Sequence, residues 1–150
     1  MDQHLNSSGL LTLVQHFRRL DWDKAIDGLT QPEYLVLAAV ELGQQHNPDQ
    51  PGIYVSALAE YMMISVSMAS KLLKTMEEKE WILRTIDRNS RRNTFVSLTP
   101  LGKDTLARAN QAMERVHRAV RKKMGKESLE QLISNVSLLF SCYEEVLGQM

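Results

Sequence analysis

Hydrophobic residues recur along this chain at intervals of three and four, the spacing of one face of an α-helix. Between Ser65 and about Lys79, the apolar positions that follow this rule are Ala69, Leu72, Leu73 and Met76. The opposite face of this predicted helix carries Ser67, Lys71 and Lys74, so it is small, polar and cationic. We expect the apolar face to pack on a core and the basic face to remain outside it.

Five more helices are predicted from the same spacing and from capping residues. The first covers about residues 10–20. The second starts at Thr30-Gln31-Pro32-Glu33, where threonine and glutamate can each accept the other's backbone N–H, and it should form the buried centre of the domain. Ser56 is expected to cap a short helix. Thr99-Pro100 opens a long helix that Gly125 ends before the last one.

Two extended runs predict a β-hairpin in the middle of the chain. They are Trp81–Ile86 and Thr94–Leu98, and they flank a basic tip at Asp87–Asn93. A short third strand is expected at Ile53-Tyr54-Val55. Two short helices joined by a tight turn, the second with a basic outer face, are typical of a helix-turn-helix. With the hairpin they predict a winged helix-turn-helix, which suits a DNA groove.

Basic residues are concentrated in the middle of the chain, although the formal net charge is zero. Residues 1–60 hold three Lys/Arg against eight Asp/Glu, giving −5. Residues 61–126 hold fifteen against six, giving +9, and residues 127–150 hold none against four, giving −4. The positive segment coincides with the predicted helix-turn-helix and hairpin, which favours an anionic partner at that place.

Length and composition indicate one ordinary domain of 150 residues. No apolar run is long enough for a membrane span, and the N-terminus lacks the pattern of a secretion signal, so no membrane partner is expected. The lone Cys142 cannot form an internal disulfide, which fits a cytoplasmic location. Because it lies on an apolar-rich predicted helix, a buried structural role is favoured for it.

No enzymatic, cofactor or metal chemistry is predicted. The four histidines show no ligand spacing with one another or with carboxylates; they are His4, His16, His46 and His117. The chain shows no nucleophile–base spacing and no phosphate-binding loop. We therefore expect a protein that is not an enzyme and that needs no cofactor.

The last two predicted helices carry more apolar surface than one small lobe can cover. The seam of the long helix steps by three or four residues through Leu106, Ala109, Met113, Val116, Val120 and Met124, close to a heptad pattern. The natural way to bury such seams is against the same helices of a second copy, so a homodimer is expected.

Three motifs in close succession give the chain a family resemblance. They read SVSMASKLLKTMEEKEWILR, DRNSRR and VSLTPLG, and with them the chain resembles the MarR-family transcriptional regulators. The resemblance implies an all-α fold with a small two- or three-stranded β-wing, as a single domain over residues 1–150. It places dimerisation helices at about residues 10–29 and 100–150, around a DNA-binding lobe at about residues 30–99.

The resemblance also implies a function. Members of the family are homodimers that bind a pseudo-palindromic operator in double-stranded DNA, usually as repressors released by a small molecule. Here the effector would be a small aromatic or amphipathic compound, and candidate residues for its cleft are Phe17, Trp22, Tyr34 and Met62. The alternative is a winged-helix dimer that serves as a protein-interaction adaptor without binding DNA.

Eight residues are the candidate DNA contacts. The predicted helix from Ser65 to about Lys79 would be the recognition helix. The candidates near its start would face base edges, where Met68 can touch a thymine methyl, and Lys74 would meet the DNA backbone. The hairpin arginines would enter the adjacent minor groove or contact its phosphates, and Arg84 at the hairpin base would pair with a phosphate or an acidic side chain. The eight are Ser65, Ser67, Met68, Lys71, Lys74, Arg88, Arg91 and Arg92.

Two positions depart from the family pattern. Glu80 stands where glycine usually follows the recognition helix, and a left-handed conformation would cost this residue about 1 kcal/mol. Ser90 stands where an aspartate usually steadies the neighbouring arginine. Asp87, across the tip, is the candidate substitute.

Overall fold

The computed structural model describes residues 7–90 and 92–149. It is mainly helical with one small sheet, as the sequence predicts. The helices are α1 (Ser7–Arg18), a 3₁₀ turn (Trp22–Ala25), α2 (Gln31–His46), α3 (Val55–Tyr61), α4 (Val66–Glu78), α5 (Pro100–Met124) and α6 (Lys126–Gly148). The strands are β1 (Ile53–Tyr54), β2 (Ile82–Ile86) and β3 (Thr94–Leu98).

The sheet is antiparallel, with the strand order β1-β3-β2. Val96 of β3 is paired with Ile53 on one side and with Arg84 on the other. The predicted hairpin is therefore present, and the predicted third strand exists for two residues. Val55, which was expected to extend that strand, is the first residue of α3.

The chain divides into two compact units, with the boundary between Ala112 and Met113. The core of the first unit is built from apolar residues that the helical spacing had placed on inward faces. Its fully buried side chains include Val36, Leu37, Val40, Leu58, Leu73, Met76, Ile82 and Leu106. The expectation of a buried α2 holds for the face that carries Leu37, whereas Leu35 and Leu42 on the same helix are exposed.

Hydroxyl caps fix the starts of three helices in the first unit. Thr30 and Glu33 form the predicted capping box: the Glu33 N–H donates to Thr30 Oγ1 at 3.4 Å, and the Thr30 N–H donates to Glu33 Oε2 at 3.0 Å. Ser65 Oγ accepts from the Met68 N–H at 3.1 Å. Thr99 Oγ1 accepts from the Gly102 N–H at 3.0 Å.

The prediction that Ser56 caps α3 is wrong. The helix begins two residues earlier than that cap implies, at Val55, so that Tyr54 occupies the N-cap and Ser56 lies inside the first turn. The Tyr54 side chain forms no capping hydrogen bond. The pairing of β1 with β3 ends at Tyr54, so Val55 is not held in the sheet and becomes the first residue of the helix.

The base of the hairpin lies close against the start of α5. The Thr99 hydroxyl donates to the carbonyl oxygen of Glu80 at 2.6 Å. A Cβ atom at Gly102 would lie 1.9 Å from the carbonyl oxygen of Trp81, so only glycine fits there. This explains why a threonine and a glycine three residues apart follow strand β3.

In the second unit, none of the described residues is fully buried. The helix α6 exposes large apolar side chains, among them Ile133, Phe140 and Val146. Cys142 is exposed too, which contradicts the buried role expected for it, because an apolar-rich helix buries its residues only where a partner covers them. Among the described residues no helix is long and apolar enough to cross a membrane.

Candidate nucleic-acid interface

The helix α4 presents its predicted polar face to solvent. Ala69, Leu73 and Met76 are buried on one side, and Leu72 is half-buried at its edge. This orientation leaves five sequence-predicted contacts exposed along and before the helix: Ser65, Ser67, Met68, Lys71 and Lys74. The capping bond from the Met68 N–H to Ser65 sets where this surface begins.

Four of the predicted cations carry no counter-charge. Within the described residues, no ion pair involves Lys71, Lys74, Arg88 or Arg92. Their charges are therefore available to an external anion. Arg91, another predicted contact, lies outside the described residues.

Two neighbouring cations form ion pairs with carboxylates of the protein itself. The Lys79 Nζ atom lies 2.5 Å from Glu33 Oε1. Arg84 donates to Glu77 Oε2 from Nε at 3.0 Å and from Nη2 at 2.5 Å, which confirms the acidic partner expected for it. The hydrogen bond from Arg84 lowers the pKa of the Glu77 carboxyl, so that carboxylate stays charged at neutral pH.

Asp87 pairs with no wing arginine among the described residues. Its Oδ2 accepts the Tyr54 hydroxyl at 2.9 Å, and its Oδ1 accepts the Asn89 N–H at 2.9 Å. No described arginine is paired with it. Within the described residues Asp87 does not steady Arg92, because its oxygens accept from the Tyr54 hydroxyl and the Asn89 N–H. A pairing with Arg91, which lies outside those residues, stays a prediction.

A groove of about 220 Å³ separates the recognition helix α4 from the wing. Its walls come from the start of α3, from α4 and from the hairpin, and they combine hydroxyl groups with two arginines. The lining residues are Tyr54, Val55, Ser56, Val66, Ser70, Arg84, Arg92, Asn93 and Thr94. A rounded, anionic edge fits such a surface better than a flat or apolar partner does.

Sequence reasoning missed several apolar residues around the start of α4. Met63, in the turn between α3 and α4, is 92% exposed, and Tyr61 and Val66 are also exposed. Their signal was available: they are apolar residues at positions that the helical pattern does not direct to the core. Together with Met68 they form an apolar border beside Ser65 and Ser67.

The comparison with known proteins identifies this architecture. Residues 29–94 match the model of the MarR family. This part of the chain is therefore similar to the MarR family. The transcriptional regulator SarZ of Staphylococcus epidermidis is 34% identical over 77 residues, which are 51% of this chain and 47% of SarZ. The transcriptional regulator HosA of Escherichia coli is 33% identical over 95 residues, which are 63% of this chain and 64% of HosA. The match thus spans about half the length of SarZ.

Solved MarR-type structures share the fold. The crystal structure of MarR has a TM-score of 0.73 and 18% identity, with 100% of this chain and 99% of that chain covered. The repressor CouR bound to a 23-mer DNA duplex has a TM-score of 0.75 and 21% identity, with coverages of 89% and 92%. At such identities the likeness shows the fold alone.

Glu80, which stands where the resemblance places a glycine, is left-handed. Glu80 has a φ of +58°. Its N–H donates to the Glu77 carbonyl at 2.9 Å, and the Trp81 N–H donates to the Met76 carbonyl at 3.1 Å, which is a Schellman ending of α4. Met63, at φ +54°, ends α3 in the same way. The turn between α3 and α4 and the turn after α4 therefore each hold a non-glycine residue in a backbone conformation that favours glycine.

Two of the four candidate cleft residues lie together. The rings of Phe17 and Trp22 are 4.8 Å apart, and Trp22 Nε1 donates to the Phe17 carbonyl oxygen at 3.1 Å. The Tyr34 hydroxyl donates to Asn110 Oδ1 at 2.9 Å. Met62 is half-buried at the end of α3. A role of these residues in effector binding stays a prediction.

Proposed function

We propose that this protein is a MarR-family transcriptional regulator that binds double-stranded DNA in a sequence-specific manner. The observation that carries the proposal is a set of exposed cations on α4 and on the wing that have no ion-pair partner within the described residues: Lys71, Lys74, Arg88 and Arg92. Exposed cations without counter-charges, on a helix and on the hairpin that follows it, are the electrostatic pattern of a surface that binds the phosphate backbone. The names of SarZ and HosA support the same role.

In this proposal the recognition helix reads bases with small and apolar side chains. The first turn of α4 carries Ser65, Ser67 and Met68 but no Arg, Asn or Gln, the side chains that make two-point contacts with guanine or adenine. Serine hydroxyls bond to either purines or pyrimidines, and Met68 packs on thymine methyls. The free N–H groups of the first turn and Lys71 bind phosphates that fix the register.

The wing contributes affinity more than base recognition. Arg88 and Arg92, with Arg91 between them in sequence, follow the minor groove beside the recognition helix. Arginine in a narrow minor groove responds to groove width and potential, not to a pattern of hydrogen-bond donors. An operator with a narrow, A·T-rich flank is therefore favoured.

The binding unit in this proposal is a homodimer on a pseudo-palindromic operator. Support comes from α6, on which no described residue is buried although it carries large apolar side chains at helical spacing. They include Leu132, Ile133, Val136, Phe140, Tyr143 and Leu147. A second copy would cover them, and its lobe would meet a major groove about 34–36 Å along the duplex.

Regulation in this proposal is repression relieved by a small aromatic or amphipathic ligand. The solved neighbours include the PcaV regulator in complex with its natural ligand, at a TM-score of 0.71 and 16% identity. A ligand acts by binding one arrangement of the dimer more tightly than another, which shifts the population away from the DNA-binding arrangement. Such a regulator works in the cytoplasm.

The test is selection of genomic fragments with the purified full chain, followed by titration of the recovered fragments at several salt concentrations. Eight phosphate contacts, four from each copy, correspond to a slope of about −7 in log K against log salt. Recovered fragments that share a two-fold repeat would support the proposal. A dimer that recovers no fragment even at low salt would contradict it and support the adaptor alternative.

A further inference from the structure

Tyr54 occupies the N-cap of α3 but does not cap it. Helix N-caps favour short polar side chains whose oxygen accepts an N–H of the first turn, and Tyr54 forms no such bond. Its ring stacks on Phe95 instead, with centroids 4.3 Å apart and planes inclined by 22°. Its hydroxyl donates to Oδ2 of Asp87 at 2.9 Å. The first residue of the helix-turn-helix is thus bonded to the wing, 33 positions away in sequence.

Asp87 is the residue from which the wing tip starts. It is buried, and both its side-chain oxygens are hydrogen-bonded, one to Tyr54 and one to the Asn89 N–H. Its own N–H donates to the Asn93 carbonyl at 2.9 Å, and its carbonyl accepts the Ser90 N–H at 3.3 Å. Any movement of Asp87 would therefore be transmitted to both sides of the tip.

We propose that Tyr54 is a positioning residue for the wing: through Asp87 it holds the tip, and with it Arg92, at a fixed place beside α4. Tyr54 and Arg92 line the same groove, so the linked elements also face the same space. The consequence for DNA affinity rests on the proposed function, whereas the effect on the wing does not. The hydrogen bond to Asp87 also raises the pKa of the Tyr54 hydroxyl above its ordinary value of 10.0, so it remains a donor at neutral pH.

The first test measures the wing without DNA. Tyr54→Phe removes the hydroxyl and keeps the ring that stacks on Phe95. Arginines at the tip are trypsin sites, and their cleavage rate follows the population of locally opened wing. Loss of a hydrogen bond to a carboxylate should raise this rate about fivefold or more, while the protein stays folded and its melting temperature falls by only about 2–4 °C. Tyr34→Phe, which deletes the hydroxyl bonded to Asn110 at the same 2.9 Å, should leave wing cleavage at the wild-type rate.

The second test asks whether the effect reaches DNA through the arginine. Tyr54→Phe should weaken operator binding about threefold to tenfold in the wild-type background and have a smaller effect in an Arg92→Ala background. The proposal would be overturned if the wing of Tyr54→Phe were cleaved at the wild-type rate, or if Tyr54→Phe caused the same loss of affinity in both backgrounds. If the wild-type protein bound no DNA, the proposed function would fail, and the cleavage rates alone would decide the role of Tyr54.

Discussion

The Nζ atom of Lys79 lies 2.5 Å from Oε1 of Glu33, and this ion pair joins the C-terminal end of α4 to the first turn of α2. Glu33 is only 5% exposed, and it also completes the capping box of α2. The Lys79 ammonium group lies 4.6 Å from the centre of the Trp81 ring as well. One lysine at the end of the recognition helix thus interacts with both a buried carboxylate and the base of the wing.

Lys79→Met should destabilise the first unit by about 1–2 kcal/mol, since it leaves a buried carboxylate with fewer partners. Burial raises the pKa of Glu33, but the hydrogen bonds from Lys79 and Thr30 outweigh it and hold that pKa below its ordinary 4.5. A lowered pKa stabilises the fold above about pH 4.5, and the stabilisation is lost as the pH falls through the folded-state value.

Urea unfolding of Lys79→Met and wild type between pH 3 and 7 measures both effects, with Lys103→Met as the matched control at an exposed, unpaired lysine. The difference between Lys79→Met and wild type should shrink at the acid end of this range. A difference that stays constant down to the lowest pH would contradict the assignment of the ion pair.

Glu80→Gly should stabilise the protein by about 0.5–1 kcal/mol. The left-handed conformation costs a non-glycine residue about 1–2 kcal/mol, while glycine loses about 0.4–1 kcal/mol more chain entropy on folding, so the relief of strain is larger. Glu78→Gly, two residues earlier and inside α4, should instead destabilise by about 1 kcal/mol. Opposite signs in urea unfolding are expected; two variants that are both destabilised would argue against a strained Glu80.

Arg92→Ala should weaken operator binding at least tenfold and should make its salt dependence less steep, because one phosphate or minor-groove contact per copy is lost. Lys103→Ala removes an exposed charge from α5 and should leave affinity within twofold. Gel-shift titrations at three salt concentrations give both quantities, and sedimentation checks that the dimer persists. Unchanged affinity would remove the wing from the binding model.

Replacing thymine by deoxyuridine in the half-site should weaken binding where Met68 contacts the base, because the only change is loss of the C5 methyl group. The side chain of Met68 is 60% exposed and has no other task in the described part of the chain. Loss of one apolar contact corresponds to about a fivefold change for each copy. Met68→Ala should lose affinity for thymine-containing DNA but show no further loss with deoxyuridine. If deoxyuridine weakened DNA binding by Met68→Ala as much as by wild type, the methyl contact would come from another residue.

Ile133→Asp together with Phe140→Asp should convert the protein from a dimer to a monomer. Both side chains are exposed on α6, and two carboxylates in a closed apolar interface would lack counter-charges. Ser134→Asp, on the same helix, adds a charge at a polar position and should leave the dimer intact. Sedimentation at micromolar concentration distinguishes the species. A wild-type monomer at that concentration would contradict the proposed assembly.

Local sequence signals predicted the elements of the first unit well. The capping box at Thr30, the cap at Ser65 and the buried face of α4 around Leu73 all depend on residues a few positions apart. Such short-range rules need no knowledge of the rest of the fold. The left-handed conformation of Glu80 was also indicated by a local signal, because the family pattern has glycine at this position.

The errors came from partners distant in sequence or absent from one chain. Tyr54 holds Asp87 because the sheet order β1-β3-β2 brings the start of α3 beside the wing, and no local spacing indicates this. The N-cap at Tyr54 in place of Ser56 follows from where the pairing of β1 with β3 ends. Cys142 was expected to be buried because its helix is apolar, but burial of α6 needs a surface that a single copy does not supply.

The exposed cations of α4 and the wing that lack a partner within the described residues also affect how the protein will behave on a column. The sequence isoelectric point is about 6.9, so average charge alone would predict elution from a cation exchanger above that pH. A polyanionic matrix such as heparin samples only the surface that it touches, where Lys71, Lys74, Arg88 and Arg92 have no counter-charge within the described residues. Retention on heparin under alkaline conditions is the expected result, and it offers a purification step that the bulk composition would not indicate.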